Sequence, residues 1–154
     1  ADAHHITDPD PTGEPQSWAM EAAISDARLR PDDIDYVNAH GGASQPGDPA
    51  EVKAIQLALG KDHAATTAVS ATKSMHGHCM GATGAVEASL TALAIADQVI
   101  PPTVSLDLVD PECEGVDHVT GAGRPAQVRA ALSTSNGLGG HNAVVCMTAM
   151  STEE

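Results

Sequence analysis

The stretch that decides the fold reads Thr72-Lys73-Ser74-Met75-His76-Gly77-His78-Cys79-Met80-Gly81-Ala82-Thr83-Gly84-Ala85-Val86-Glu87. It places a lysine, two histidines, a cysteine and three glycines at the end of a predicted strand, and an alanine-rich helix follows. Titratable groups at the carboxyl end of a strand, beside a helix N-terminus, are typical of α/β active sites. We therefore expect this stretch to form part of a catalytic site.

The composition limits the possible partners. The chain has 154 residues, enough for one core, and its formal net charge is −14. Nucleic acids and anionic membranes both require a positive surface, so neither is expected as a partner. With one Trp, one Tyr and no Phe, small side chains must fill most of the interior.

The cysteines and the ends of the chain bear on its location. Cys79, Cys113 and Cys146 are spaced too irregularly for a disulfide framework or a metal site, so we expect no metal and a reducing cytoplasm. No apolar run reaches the length of a membrane span, and no signal peptide is recognisable. The first residue is Ala1 rather than Met, which suggests processing or a piece of a larger protein.

The pattern around the opening stretch predicts alternating helices and strands. Helices are expected over residues 15–29, 48–59 and 81–98, and strands over 34–39, 68–71, 129–134 and 143–149. Asp48 is the expected N-cap of the second helix, and Gly60 ends it. The third helix is apolar on most faces, so we expect it to be buried on more than one side.

These elements predict one α/β unit with a mixed sheet. Residues 1–15 are interpreted as an extended lead-in, 16–149 as the α/β core and 150–154 as a tail. Residues 105–128 carry no clear period and are expected to be irregular. The linker 135–142 contains three glycines, which allow its backbone to approach a ligand closely.

Six motifs then carry a family resemblance. They are Val37-Asn38-Ala39-His40-Gly41, Thr72-Lys73-Ser74-Met75-His76-Gly77-His78, Gly84-Ala85-Val86-Glu87, Pro101-Pro102-Thr103, Asp110-Pro111-Glu112-Cys113 and Gly137-Leu138-Gly139-Gly140-His141-Asn142. In this order and spacing they resemble β-ketoacyl-acyl-carrier-protein synthases, the ketosynthases that condense acyl units in fatty acid and polyketide synthesis. The resemblance covers nearly the whole chain.

The resemblance implies the C-terminal half of a thiolase-type fold. Members of the family are roughly two to three times this length, a scale at which chains hold two halves. Their nucleophilic cysteine lies in the N-terminal half, which is missing here. The fragment should leave an open sheet edge and an uncovered helix face. We expect a subunit of a split enzyme, or one piece of a cut or trimmed synthase.

The resemblance also implies an activity and its partners. Family members catalyse a decarboxylative Claisen condensation of malonyl-carrier protein with an acyl thioester. Their substrates ride on the phosphopantetheine of acyl carrier protein, and no cofactor is bound permanently. The implied partners are an N-terminal half with the nucleophilic Cys and the carrier protein, within a dimeric assembly of whole synthases. An acidic carrier is expected to dock on the missing half or around Arg124 and Arg129.

Four side chains carry the implied catalysis. His40 and His78 match the two imidazoles that donate to the malonyl thioester carbonyl, and Lys73 matches a lysine that pairs with the carboxylate of Glu87. A single histidine after a strand is more typically a hydrogen-bonded turn residue, and a lysine there is typically a surface residue. Two histidines, each within its own motif, favour the catalytic interpretation. A glutamate in an apolar helix also needs a charged partner.

The glycine-rich linker resembles the gating loop of the family, formed here by Asn136, Gly137, Leu138, Gly139 and Gly140. The backbone N–H of Leu138 is implied to supply half of an oxyanion hole, and the nucleophile's own N–H supplies the other half. Phe is common in the family at the positions of Leu138 and Asn136. Losing both rings predicts an unusual acyl substrate.

The pantetheine contact is also expected to differ. The family usually reads His-Gly-Thr-Ser-Thr, whereas this chain reads His40-Gly41-Gly42-Ala43-Ser44. Ser44 can still donate to the pantetheine arm but Gly42 cannot, a loss of about 1 kcal/mol.

The cysteines and His76 are expected to have no catalytic role. Cys79 could be a thiol nucleophile beside a helix N-terminus and a lysine. We expect it instead to be a small packed residue. Cys113 and Cys146 are interpreted as structural, and His76 as incidental.

Two other functions remain open. One is a non-catalytic partner, similar to a chain-length factor, that only shapes the acyl tunnel; such partners typically lose the histidines that this chain keeps. The other is a coenzyme A-dependent thiolase-like acyltransferase, although Gly77-His78 resembles thiolases less than ketosynthases.

Overall fold

A computed structural model describes residues 1–150, so only Met150 of the predicted tail is described. The helices are α1 (Glu14–Asp26), α2 (Gly47–Leu59), α3 (Lys61–Ala64), α4 (Lys73–His76) and α5 (Thr83–Asp97). The strands are β1 (Tyr36–Asn38), β2 (Ala68–Ser70), β3 (Val99–Ile100), β4 (Asp117–His118), β5 (Arg124–Pro125), β6 (Ala130–Gly137) and β7 (His141–Thr148). Short 3₁₀ helices span Pro31–Asp33, Met80–Ala82 and Pro111–Cys113.

A five-stranded sheet lies at the centre, in the order β4-β2-β1-β6-β7. The first four strands are parallel and β7 runs antiparallel to β6, while β3 and β5 form a separate antiparallel pair. This arrangement confirms the predicted α/β class with a mixed sheet.

Successive residues of β1 point to opposite faces of the sheet and enter two different cores. Val37 packs in the cluster that contains Met20 of α1 and Ile55 of α2. Tyr36 packs in the cluster that contains Ile95 of α5. The molecule is therefore layered helix, sheet, helix. Tyr36 is fully buried and its hydroxyl lies 2.9 Å from Ser70 Oγ, whereas Trp18 on α1 is 59% exposed.

Backbone geometry sets the ends of α1, which is shorter than predicted. Gly13 precedes the helix with φ of 73°, and a Cβ there would lie 2.5 Å from the carbonyl oxygen of Ala50 in α2. At the other end Arg28 adopts φ of 58°, and the N–H of Leu29 donates to the Ile24 carbonyl at 3.1 Å. This left-handed Schellman-type ending stops the helix at Asp26 although apolar residues continue.

The start of α2 differs from the prediction in its cap. Asp48 lies within the first turn, because the helix begins at Gly47. The N-cap position is held by Pro46, which has no side-chain hydrogen bond to offer, and the hydroxyl of Ser44 accepts the N–H of Gly47 at 3.1 Å. The end is as predicted, with Gly60 following Leu59.

Helix α5 begins later than predicted, and polar side chains make up part of its buried face. Met80–Ala82 forms a 3₁₀ turn before it. The inner stripe carries Thr83, Glu87 and Thr91, whereas Leu93 is 55% exposed. Within residues 1–150 the expectation of burial on more than one side is therefore wrong, because the apolar outer face is covered by nothing in the described chain. The uncovered helix face implied by the family resemblance is present.

The two last strands extend much further into the glycine-rich linker than predicted. Pairing continues to Asn136 opposite Asn142 and Gly137 opposite His141. Only Leu138, Gly139 and Gly140 form the loop, with both glycines at positive φ. The region 105–128 is not wholly irregular, because β4 and β5 lie in it. Strands of two residues are too short to leave a periodic signal.

The far side of β7 has no strand partner among the described residues, which matches the open edge that was expected. Within residues 1–150, no helix has the length and hydrophobicity needed to cross a bilayer.

Candidate active site

The predicted catalytic residues lie together at the carboxyl ends of the parallel strands. His40 follows β1, Lys73 follows β2, and Thr134 lies in the second half of β6. These three strands are parallel, so their carboxyl ends lie at the same end of the sheet. A cavity of about 610 Å³ opens there, lined by His40, His78 and the glycine-rich loop.

The two histidines lie next to each other. Their ring centroids are 5.5 Å apart, and the ring planes are inclined at 78°, which is an edge-to-face arrangement. The structure thus brings together two imidazoles that are 38 positions apart in the chain (78 minus 40).

The hydrogen bonds of His78 select one tautomer. Its Nδ1 receives the backbone N–H of Met80 at 3.1 Å and lies 2.9 Å from Thr83 Oγ1. A backbone N–H can only donate, so Nδ1 must be the acceptor. The neutral ring therefore carries its proton on Nε2, which is left as a hydrogen-bond donor.

His40 is held by its backbone and kept neutral by its surroundings. Its N–H donates to Glu51 Oε1 at 2.8 Å and to Thr134 Oγ1 at 2.9 Å. Burial, helped by the positive charge of Lys73 and by His78, lowers the pKa of His40 to about 4. Its Nδ1 is buried with no partner among residues 1–150. At pH 7 this imidazole is neutral, with one N–H donor and one acceptor nitrogen.

Lys73 connects the first histidine to a buried carboxylate. Its Nζ donates to Glu87 Oε1 and to the carbonyl oxygen of His40, both at 2.5 Å. The Glu87 side chain is fully buried and that of Lys73 is 6% exposed. Burial raises the pKa of Glu87, and the hydrogen bond and charge of Lys73 oppose that rise. A buried lysine beside a buried carboxylate is stable only as a hydrogen-bonded pair.

Glu51 is a residue of this site that the sequence interpretation missed. It is 3% exposed and accepts the N–H of His40, the N–H of Gly41 at 2.9 Å and the hydroxyl of Thr134 at 2.6 Å. Its carboxylate therefore fixes the turn that carries His40. The signal that could have found it is the same as for Glu87, a glutamate within an apolar helix.

A polar layer beneath the histidines explains the inner stripe of α5. Asn38 donates to the Glu87 carbonyl and to Thr91 Oγ1, both at 3.2 Å. The hydroxyl of Thr72 donates to Asn38 Oδ1 at 3.1 Å. These bonds tie β1, the segment after β2 and α5 together directly behind the site.

The glycine-rich loop is tied to the start of the chain. The N–H of Gly139 donates to the Ile6 carbonyl at 2.8 Å, and the N–H of Asp2 donates to the Gly140 carbonyl at 2.9 Å. No hydrogen bond from the Leu138 N–H is found among residues 1–150. The lead-in also lines the cavity through Asp2, Thr7 and Asp8, a role that its irregular sequence did not indicate.

Ser44 lines the same cavity. Its oxygen accepts the Gly47 N–H, so its hydroxyl proton can still be donated to a ligand. Gly42 lies against His40, since a Cβ there would be 3.4 Å from Nε2 of the imidazole.

The three cysteines lie in different environments. Cys79 is exposed, so the expectation that it is a packed residue is wrong; it follows the turn at Gly77 instead of entering a helix. Cys113 is buried, and burial together with nearby carboxylates raises the pKa of its thiol to about 11. Burial also raises the pKa of Cys146. Among residues 1–150 no group of side chains is arranged to hold a metal ion.

Known proteins are similar to this chain in sequence and in fold. Residues 1–107 match the family model for the C-terminal domain of β-ketoacyl synthases. A 3-oxoacyl-[acyl-carrier-protein] synthase 2 of Synechocystis is 47% identical over 141 residues, which are 92% of this chain and 33% of that protein. The enzyme of the same name from Staphylococcus aureus is 48% identical over 144 residues, which are 94% of this chain and 35% of that protein.

Solved structures agree with this relation. A ketosynthase complex of a type II polyketide synthase with its acyl-carrier protein, bound to the hexaketide, superposes with a TM-score of 0.92 at 30% identity. A β-ketoacyl synthase from Burkholderia phymatum superposes with a TM-score of 0.88 at 33% identity. Each alignment covers 97% of this chain and 36% of the other.

The chain thus spans about a third of the length of the relatives it matches, and its fold is the C-terminal part of a thiolase-type ketosynthase. With the family model matching more than half of its residues, the chain belongs to the β-ketoacyl synthase family, as its C-terminal domain.

Proposed function

We propose that the chain supplies the His/His/Lys half of a ketosynthase active site. The reaction is the decarboxylative condensation of malonyl-carrier protein with an acyl thioester. The observation that carries this proposal is the imidazole pair, His40 beside His78 at 5.5 Å, at the wall of one cavity.

The imidazoles act on the malonyl thioester. When the bond to the carboxylate breaks, carbon dioxide leaves and its electron pair forms an enolate whose negative charge falls on the thioester oxygen. Two preorganised N–H donors stabilise that charge, each worth on the order of 10²–10³ in rate. His40 stays neutral because its pKa is about 4, so it donates a hydrogen bond without giving up its proton.

The acyl thioester requires a second oxyanion hole and a nucleophile. The enolate carbon attacks the acyl carbonyl, and the thiolate of the nucleophile leaves. The N–H of Leu138 supplies one donor for the oxyanion, in keeping with its lack of another acceptor among residues 1–150. The nucleophilic Cys comes from an N-terminal half or partner chain, because none of Cys79, Cys113 and Cys146 lines the cavity.

Lys73, Glu87 and Glu51 act as positioning residues. Lys73 and Glu51 bond the carbonyl and the N–H of His40 respectively, which fixes the ring in the cavity. Ser44 contacts the pantetheine arm of the carrier protein. Leu138, Gly139 and Gly140 form the gating loop, and Asn136 and Gly137 lie at its base in β6. Whole synthases assemble as dimers. No cofactor is bound permanently, and the cytoplasm remains the expected location.

Two structural neighbours point to a second candidate function, that of a non-catalytic partner subunit. Both are described as ketosynthases with chain-length factors, and the fold superposes on them with TM-scores of 0.89 and 0.82. A non-catalytic partner would share this fold. It would need neither imidazole, and the retention of both favours the catalytic role.

The test is malonyl decarboxylation by the intact synthase that contains this chain. We expect His40→Ala to lower the rate on the order of 10²–10³, because one enolate donor is lost. His4→Ala, on the exposed lead-in, serves as the control. Unchanged decarboxylation in His40→Ala would reject the catalytic role and leave the non-catalytic partner.

A further inference from the structure

Two asparagines face each other at the base of the glycine-rich loop. Asn136 of β6 is directly opposite Asn142 of β7, so their side chains lie on the same face of the hairpin. Both line the cavity of the two histidines. Asn136 precedes Leu138 by two residues, roughly 7 Å along an extended chain.

A third amide, Gln16 of α1, lines the same cavity. The Gln16 side chain is 3% exposed, and its Oε1 has no hydrogen-bond partner among residues 1–150. The Nδ2 of Asn142 is likewise buried without a partner in the described chain. Buried amides that lack partners are unfavourable, and a ligand that supplies the partner relieves the cost.

These amides differ from the charged residues of the catalytic edge. Glu51, Glu87 and Lys73 each make hydrogen bonds within the chain. Gln16, Asn136 and Asn142 belong to three different elements and line one cavity together with Leu138, so they form a polar part of its wall. An alkyl chain against this wall would leave Gln16 Oε1 and Asn142 Nδ2 without partners.

We propose that Gln16, Asn136 and Asn142 select acyl chains that carry carbonyl or hydroxyl oxygens on the first few carbons beyond the thioester. Amide N–H groups donate to a keto oxygen, and an amide oxygen accepts from a hydroxyl. A site built on hydrogen bonds discriminates strongly against an analogue that lacks the polar atom. This inference rests on the proposed ketosynthase function, and it extends that function to the acyl substrate.

The test compares two primers of equal length in the intact synthase, octanoyl and 3-oxooctanoyl thioesters. We expect the wild-type kcat/KM to favour the 3-oxo primer by tenfold or more. Asn136→Leu should reduce this preference about tenfold, because it removes the amide and keeps a similar volume. Gln127→Leu is the matched control, an exposed amide that does not line this cavity.

Gln16→Met is a second variant with a similar shape, and thermal unfolding checks that both variants are folded. The inference is overturned if the wild type prefers octanoyl, or if neither variant changes the ratio while β-ketoacyl product still forms. A wild type that forms no product from either primer would instead reject the proposed function itself. The two failures are therefore distinguishable.

Discussion

At the residue scale, the Lys73–Glu87 pair is a buried contact that is costly to break. Both side chains are buried and their charged atoms are 2.5 Å apart. Removing one partner leaves the other charge buried and unpaired. Lys73 also bonds the His40 carbonyl, so its loss should affect both stability and the position of the imidazole.

We expect Lys73→Met to lower the free energy of unfolding of the intact protein by about 3–5 kcal/mol. Adding Glu87→Gln should restore part of this loss, because neither charge of the pair then remains buried without its partner. Urea unfolding of the two single variants and the double variant measures the coupling. A double variant whose loss equals the sum of the singles would contradict the ion pair.

The low pKa of His40 makes stability depend on pH. The folded state keeps this ring neutral to about pH 4, whereas the unfolded chain takes up a proton near the ordinary imidazole pKa of 6.5. The unfolded state therefore binds more protons between these values, and stability falls as the pH is lowered through this window, by ~3 kcal/mol at most.

We expect His40→Gln to flatten this dependence between pH 6.5 and 4. The free energy of unfolding is measured at both ends of the window for wild type and variant. His4→Gln, which removes an imidazole from the exposed lead-in, should leave the wild-type slope in place. An unchanged slope in His40→Gln would contradict the buried neutral imidazole.

Much of the candidate site at this scale could be predicted because its residues occur in short motifs. His40, His78, Lys73 and Glu87 lie together at one edge, as expected. Glu51 was missed because it acts on backbone N–H groups across the fold, and such bonds leave no spacing pattern in the sequence. The exposure of Cys79 was missed because a turn precedes α5.

At the scale of elements, the contact between α1 and α2 depends on Gly13. This residue combines positive φ with an approach to the backbone of α2 that leaves no space for a Cβ. Gly121, between β4 and β5, has the same φ of 73° as Gly13, but a Cβ added there would have no heavy atom within 4 Å. The two glycines therefore separate the cost of φ from the cost of a clash.

We expect Gly13→Ala to lower the free energy of unfolding by about 2–4 kcal/mol, from backbone strain and overpacking together. Gly121→Ala should cost only about 1–2 kcal/mol, because strain acts alone. Chemical unfolding of both variants measures the difference. Equal losses in the free energy of unfolding would show that the close approach of Gly13 to Ala50 does not affect stability.

Elements with a strong hydrophobic periodicity were predicted. The ends of elements were missed where strand pairing or helix caps determine them. The three main helices and four main strands are present, with shifted ends. Arg28 stops α1 through its backbone conformation, which no side-chain pattern reports. The hairpin extends into the linker because pairing between β6 and β7 persists through residues that resemble a loop, among them Asn136 and Asn142.

At the scale of the whole molecule, the apolar outer face of α5 has no cover within residues 1–150. Leu93 is 55% exposed there, and Val99 after the helix is 40% exposed. The sequence predicted a more buried helix because its composition reports how apolar the faces are, and not which part of a larger protein covers them. The relatives, about three times longer, supply enough chain for such a cover.

We expect Leu93→Lys to reduce self-association of the isolated 154-residue chain and to destabilise the intact protein. Sedimentation of the isolated chain and thermal unfolding of the intact protein measure the two effects. Glu21→Lys, at an exposed polar position of α1 and away from the outer face of α5, is the control. If the intact protein is not destabilised by Leu93→Lys, this face of α5 is exposed to solvent in the intact protein as well.

The exposure of Trp18 and the burial of Tyr36 determine which spectroscopic signals report unfolding. The only Trp is already 59% exposed, so its fluorescence emission should shift little when the isolated chain unfolds. The only Tyr is fully buried, and burial raises the pKa of its phenol well above the ordinary value of 10. Alkaline absorbance titration should therefore report the fold: the phenol ionises near pH 10 only in chains that have lost the sheet.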